Sequence, residues 1–175
     1  MTKKGLIHIY TGDGKGKTTA SLGLIMRATG AGMNILFTQF LKGQDTSELK
    51  TLAKLGVTVV RTEEILKFVA FMNEKEKIDC KNIHEMCYNK MKRMLLSGDY
   101  DMVILDEVMA TIELNLISLE MVLELLAQKP PHVELIMTGR NAPPELVQLA
   151  DYVSDIQVVK HPYDNGIQAR KGIEY

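Results

Sequence analysis

Residues 11 to 18 read Thr11-Gly12-Asp13-Gly14-Lys15-Gly16-Lys17-Thr18, directly after the apolar run Leu6-Ile7-His8-Ile9-Tyr10. A buried strand that empties into a glycine-rich turn ending in Gly-Lys-Thr constrains the fold more than any other feature of this chain. The glycines let successive backbone N–H groups point inward at a polyphosphate. Lys17 supplies a point charge, the Thr18 hydroxyl can hold Mg²⁺, and the following helix aims its positive end at the same anion. The usual spacing places a glycine five residues before Gly16. This chain has Thr11 there and Gly12 one place later, yet strand, glycines, Lys and Thr keep their order. The expectation is a nucleoside triphosphate bound by Gly12, Asp13, Gly14, Lys15, Gly16, Lys17, Thr18 and Thr19.

The rest of the sequence agrees with an α/β layout. Its 175 residues suffice for one domain, 1–175, with its own core. A content of 46% hydrophobic and 25% charged residues is that of an ordinary globule. The net charge of −1 lacks the basic surplus with which duplex binders release counterions, so nucleic acid is not expected as a partner. No apolar stretch approaches the roughly 18 residues of a membrane span, and the amino terminus has no secretory core, so a cytoplasmic protein is expected.

Short apolar runs alternate with helical periods in a βαβ succession. Strands are predicted at 5–10, 34–40, 57–61, 101–106, 132–137 and 153–159. Helices are predicted at 17–29, with Leu22, Ile25, Met26 and Thr29 on its inner face, at 47–55, at 74–96, from a Ser118 cap to Ala127, and from Pro143 to Asp151. Residues 160–175 are polar and aperiodic, a surface segment expected to lie along the sheet edge or over the site. Cys80 and Cys87 fall on one face of the long helix with His84 between them. Three ligands are too few for structural zinc, so these are read as reduced core cysteines beside a half-exposed histidine.

The second chemical signal is Asp106-Glu107 after four apolar residues, at the carboxyl end of a buried strand. Open parallel sheets bind ligands beyond the carboxyl ends of their strands, so Thr18 and Asp106 can meet across Mg²⁺, with Glu107 beside them. Thr138-Gly139-Arg140 ends another strand at the same edge. Its hydroxyl and guanidinium either sense a phosphate, or Thr138 and Gly139 simply make the turn and Arg140 is solvated. Arg27, further along the first helix, reaches the nucleotide or only water.

Taken together, Tyr10 to Ala20, Arg27-Ala28, Gln39-Phe40-Leu41-Lys42-Gly43, Val103 to Glu107, Thr138-Gly139-Arg140 and the tail Val159 to Tyr175 resemble the P-loop ATP:corrinoid adenosyltransferases. The likeness covers almost the whole chain, and the displaced loop glycine and the tail belong to that family more specifically than a P-loop does. It implies a single-domain P-loop NTPase-like (RecA-like) α/β fold, with about six mostly parallel strands and helices on both faces. It also implies transfer of the 5′-deoxyadenosyl group of ATP to Co(I) of a reduced corrinoid with release of triphosphate, an external flavin-type reductant, Mg²⁺ and a homodimer. Lys17 and Glu107 would be catalytic, Thr18, Asp106 and Glu107 would serve the metal, and Arg27 the nucleotide.

Relatives place aromatic residues in the loop before the long helix. This chain offers Phe68 and Phe71, which face either the corrin or the core. Longer relatives also carry an amino-terminal extension over the site, and the first strand here is expected almost at residue 1. From the motifs alone, a P-loop ATPase, a small-molecule kinase and a non-catalytic ATP-dependent corrinoid carrier stay open.

Overall fold

The computed structural model describes residues 4–44, 46–62, 67 and 69–175. Phe68 falls outside the described residues. Six strands form one sheet: β1 (Ile7–Thr11), β2 (Ile35–Gln39), β3 (Thr58–Arg61), β4 (Met102–Asp106), β5 (Glu134–Thr138) and β6 (Tyr152–Asp155). They lie in the order β3-β2-β4-β5-β1-β6, and every pairing is parallel. Parallel neighbours need crossovers, which the helices α1 (Lys17–Gly30), α2 (Ser47–Lys54), α3 (Glu74–Leu96), α4 (Val108–Glu113), α5 (Leu119–Gln128) and α6 (Pro144–Leu149) supply. This is a P-loop NTPase-like α/β sheet.

Each central strand is buried on both sides, which is why β4 reads Met-Val-Ile-Leu before its aspartate. Alternate residues enter two separate cores. Leu36, Val103, Leu105, Leu135 and Met137 meet Tyr88, Met91 and Leu95 of α3 and Val122 and Leu125 of α5. On the other face Ile35, Phe37, Ile104 and Ile136 meet Ile25 and Ala28 of α1 and Leu52 of α2. The helices therefore cover both faces.

The long helix spans 74–96 as predicted, started by a capping box in which Asn73 accepts from the Glu76 backbone while Glu76 accepts from that of Asn73. Ser118 accepts from Met121 N and so caps α5. The predicted inner face of α1 needs correction. The buried positions are Lys17, Ser21, Ile25 and Ala28, and Met26 is 66% exposed. The small Ser21 and Ala28 face the sheet, while Met26, one residue past Ile25, is rotated away by about 100° per residue. His84 is fully buried rather than half-exposed. Its Nδ1 donates to the Cys80 carbonyl at 2.8 Å, the ring stacks on Phe40, and burial holds its pKa below the ordinary histidine value. Cys80 and Cys87 are free and buried, with the Cys87 thiol pushed up to about 12 by burial. Among the described residues no cluster of potential metal ligands of the His, Cys, Asp or Glu type forms. Nor is any helix there long and apolar enough to cross a membrane.

The last strand stops at Asp155, not at Val159. Its neighbour β1 ends at Thr11, so residues beyond 155 lose their ladder partner and run beside the glycine loop instead, where Gly14 N donates to Ile156 O at 2.6 Å.

Candidate nucleotide site

The carboxyl ends of β1, β2, β4 and β5 open into a cleft of about 620 Å³. Between β1 and α1 the loop 12–16 is shaped by its glycines. Gly12 has φ +97 and Gly16 φ +122, a region that L side chains rarely adopt. A Cβ on Gly12 would also collide with the Asp155 carboxylate, and one on Gly14 would lie 2.6 Å from Ile156 O. The glycines thus serve close approach of residues 155–157, which take the Gly14 amide as a donor. Thr11, where the usual spacing has glycine, ends β1 and accepts from Ala142 N at 3.2 Å.

Lys17 is buried at the start of α1. Its ammonium donates to Gly12 O at 2.6 Å and Gly14 O at 2.8 Å. Burial pushes the Lys17 pKa below the ordinary lysine value, opposed chiefly by the Glu107 carboxylate. Thr18 donates to Asp106 Oδ1 at 2.8 Å, so the P-loop hydroxyl and the β4 carboxylate meet as predicted. Asp106 is fully buried. Thr138 also donates to Asp106 Oδ1 at 2.8 Å, while its own oxygen accepts from Glu107 N at 3.0 Å. Neither role expected for Thr138 describes it, because a buried hydroxyl between two strand ends orients the carboxylate rather than reaching a phosphate.

Glu107 follows in the left-handed conformation, φ 65, at the N-terminal boundary of α4, with no capping bond from its side chain. A glutamate with positive φ is strained backbone held by its surroundings, a recurrent feature of functional sites. Burial, and then the neighbouring Asp106, raise its carboxyl pKa, with Lys42 and Lys17 pulling the other way. Arg140 lies at the rim, 3.7 Å from Asp13 and 63% exposed. Thr18 Oγ1 and Asp106 Oδ1 are both hard oxygen donors, a set that suits Mg²⁺ retaining several waters, and Glu107 lines the same cleft. The residues present therefore fit that ion.

With loop, carboxylate and cleft in place, likeness to known proteins decides the family. The family model described as ATP:corrinoid adenosyltransferase BtuR/CobO/CobP matches residues 3–175. The chain belongs to the ATP:corrinoid adenosyltransferase family. The corrinoid adenosyltransferase of Escherichia coli strain K12 is 34% identical over 174 residues, covering 99% of this chain and 87% of that protein. The corrinoid adenosyltransferase CobA of Salmonella typhimurium is 35% identical over the same shares, and that of Sinorhizobium sp. 32% identical, covering 99% and 81%.

One site residue of this family member escaped sequence reasoning, and one expectation, a tail over the site, was met. Lys42, in the Gln39–Gly43 block, places its ammonium 3.0 Å from Asp106 Oδ2 and 3.4 Å from Thr18 Oγ1. The tail lies over the cleft, where Ile173, Glu174 and Tyr175 line it, Glu174 pairs with Lys15 at 3.4 Å, and Ser47 donates to Tyr175 O at 3.2 Å. A lone lysine in a loop carries no signal of its partner. Two predicted site residues stand apart from the cleft wall. Arg27 is exposed in the last turn of α1, and Phe71 is 73% exposed in the short 3₁₀ turn 69–71.

Proposed function

We propose that this chain transfers the 5′-deoxyadenosyl group of ATP to the cobalt of a reduced corrinoid, with residues 1–175 acting as one adenosyltransferase domain. The observation that carries the reading is the Thr18–Asp106 contact at the foot of a glycine loop in a chain that matches the adenosyltransferase family over residues 3–175. Co(I) donates an electron pair to the ribose C5′, the C5′–O bond breaks, and its pair leaves on triphosphate. Cobalt thereby becomes formally Co(III), so a reductant, of flavin type in this reading, must first supply Co(I).

Such a displacement needs no side-chain nucleophile. The site's work is positioning and stabilisation of a departing polyanion. Lys17 and the loop amides other than that of Gly14, which is held by Ile156 O, are assigned to the triphosphate, with Asp13, Lys15 and Thr19 at the same loop. Thr18 and Asp106 would hold Mg²⁺, which supplies charge neutralisation for the phosphates, and Glu107 assists the metal or the ribose. Half-buried beside Asp106 and near two lysines, Glu107 is oriented by its own backbone rather than by a flexible loop. Arg27 is assigned to the nucleotide. Phe71 is assigned to the corrin, because a large aromatic group left 73% exposed is an available stacking surface. A cytoplasmic homodimer completes the reading.

Anaerobic spectroscopy of a Co(I) corrinoid mixed with the protein, ATP and Mg²⁺ tests reaction class and both substrates at once. The expected outcome is loss of the Co(I) spectrum, formation of a light-sensitive Co–C bond over many turnovers, and intact triphosphate as product. ADP and phosphate formed with no corrinoid requirement would instead identify a P-loop hydrolase or kinase.

A further inference from the structure

Lys42 occupies a place that chemistry reserves for a cation. Its ammonium lies 3.0 Å from Asp106 Oδ2 and 3.4 Å from Thr18 Oγ1, the two groups that also touch each other through Asp106 Oδ1. Asp106 is fully buried, and the Lys42 side chain 30% exposed, so the lysine closes the solvent side of a carboxylate whose other oxygen is held by Thr18 and Thr138.

The backbone around Lys42 is set for this. Leu41 has φ 60, a left-handed conformation that an aliphatic side chain rarely adopts and that turns the chain sharply after β2. Arg61, at the end of β3, donates through Nη2 to the carbonyls of Lys42 and, at 2.7 Å, Gln44. The stem of the lysine is thus anchored by a neighbouring strand, while its four-carbon arm is free to pivot within the cleft it lines.

Two like charges cannot share this place. A divalent ion held by Thr18 and Asp106 would stand close to the ammonium, and like charges at such range repel even where the surroundings screen them. We propose that Lys42 is a positioning residue that holds the cation place between Asp106 and Thr18 against bare metal and yields it to the metal–triphosphate, turning its ammonium onto the phosphates. Metal and nucleotide then enter as one unit, and Asp106 is never left buried without a counter-charge. This inference rests on the reading of the cleft as a metal–triphosphate site.

Manganese, titrated by the electron paramagnetic resonance signal of the free ion, gives the test. For Lys42→Met we expect Mn²⁺ alone to bind at least tenfold more tightly than to the wild type, and Mn²⁺ with ATP at least tenfold more weakly. Lys42→Gln should show the same opposite changes, so the result does not hang on the folding of one variant. Lys42→Arg, which keeps the charge, should leave Mn²⁺ alone bound as weakly as in the wild type. Unchanged affinity in both titrations, or weakening in both, overturns the proposal, the second because a merely structural lysine would give it. The two readings fail separately. Opposite shifts in an enzyme that yields ADP would retain Lys42's role and sink adenosyl transfer, whereas Co–C bond formation with unshifted Mn²⁺ binding would sink only the role of Lys42.

Discussion

Both ends of the sheet bury charge, and they do so in opposite ways. At the amino ends of the strands, Lys129 donates to the carbonyls of Gly5, Pro130 and Val133 at 3.1, 3.3 and 2.7 Å. Glu134 accepts from Leu6 N at 3.0 Å and lies 2.5 Å from His8 Nε2. Each charge there is met by backbone or by one opposite partner, and the cluster ties β1, β5 and the turn before β5 together. At the carboxyl ends, Asp106 and Glu107 are adjacent carboxylates, Lys17 and Lys42 crowd them, and Glu107 sits on strained backbone. One end satisfies its charges with the fold itself, and the other holds them in mutual conflict. The lesson is that conflict marks the end where a charged ligand is expected.

That contrast is open to experiment. The largest effect should come from Lys17→Ala, which on the proposed reading removes a preorganised donor to the leaving triphosphate. A fall of about 10² to 10³ in turnover of the folded enzyme, on the order of 3 to 4 kcal/mol, is expected. Near-normal turnover at saturating ATP would show that the carboxyl end is not specialised. Next, Lys129→Met should lower stability by about 1 to 3 kcal/mol, since three buried or half-buried carbonyls lose their donor, while turnover of the folded enzyme is unchanged. Chemical denaturation paired with a steady-state assay distinguishes these two ends directly.

Glu107→Gln sharpens the comparison through pH. The folded Glu107 carboxyl has a raised pKa, first from burial and then from Asp106. A raised carboxyl pKa means that the folded state binds the proton more tightly than the unfolded chain. Its stabilising contribution is therefore full below the ordinary carboxylate pKa and is lost as pH rises through the folded value. Glu107→Gln should accordingly stabilise the protein at neutral pH by about 1 kcal/mol, an advantage that disappears as pH falls to the ordinary carboxylate range, and should reduce turnover. A variant less stable than wild type at pH 7 would contradict the conflict assigned to this end. The smallest structural effect is expected of Phe71→Ala, within about 0.5 kcal/mol because the ring is exposed. Its adenosylation of a corrinoid with a lower base should nonetheless slow while ATP binding stays normal.

Much of this was legible beforehand, for identifiable reasons. Strand β4 and the loop before α1 are local statements, since a run of apolar residues ending in Asp106 and three alternate glycines specify buried strand and turn whatever surrounds them. The capping residue Ser118 bounds its helix in the same local way. Met26 was misplaced because leucine, isoleucine and methionine periods on a short helix do not distinguish adjacent rows, and the sheet selected the row with Ser21 and Ala28. His84 was taken as half-exposed because a polar residue on an apolar face does not announce its carbonyl partner. Lys42 as a site residue, and the partners of Thr138 and of the tail, were unreadable for a deeper reason. Their partners, Asp106 and Lys15, lie far away in the chain, and no residue type encodes a distant partner.

What the amino-acid sequence determined by itself is the alternation of strand and helix, the glycine loop with Lys17 and Thr18, and a carboxylate at the end of β4, because each depends on periodicity, backbone permissiveness and chemistry within a few neighbouring residues. The strand order β3-β2-β4-β5-β1-β6 was settled only by tertiary packing. It alone brings the ends of β1, β2, β4 and β5 to one edge, and so puts Lys42 and Thr138 on the two oxygens of Asp106 and lays Glu174 across Lys15. Coulomb attraction and hydrogen bonding act over a few ångströms in space, and that proximity exists only once the sheet has assembled.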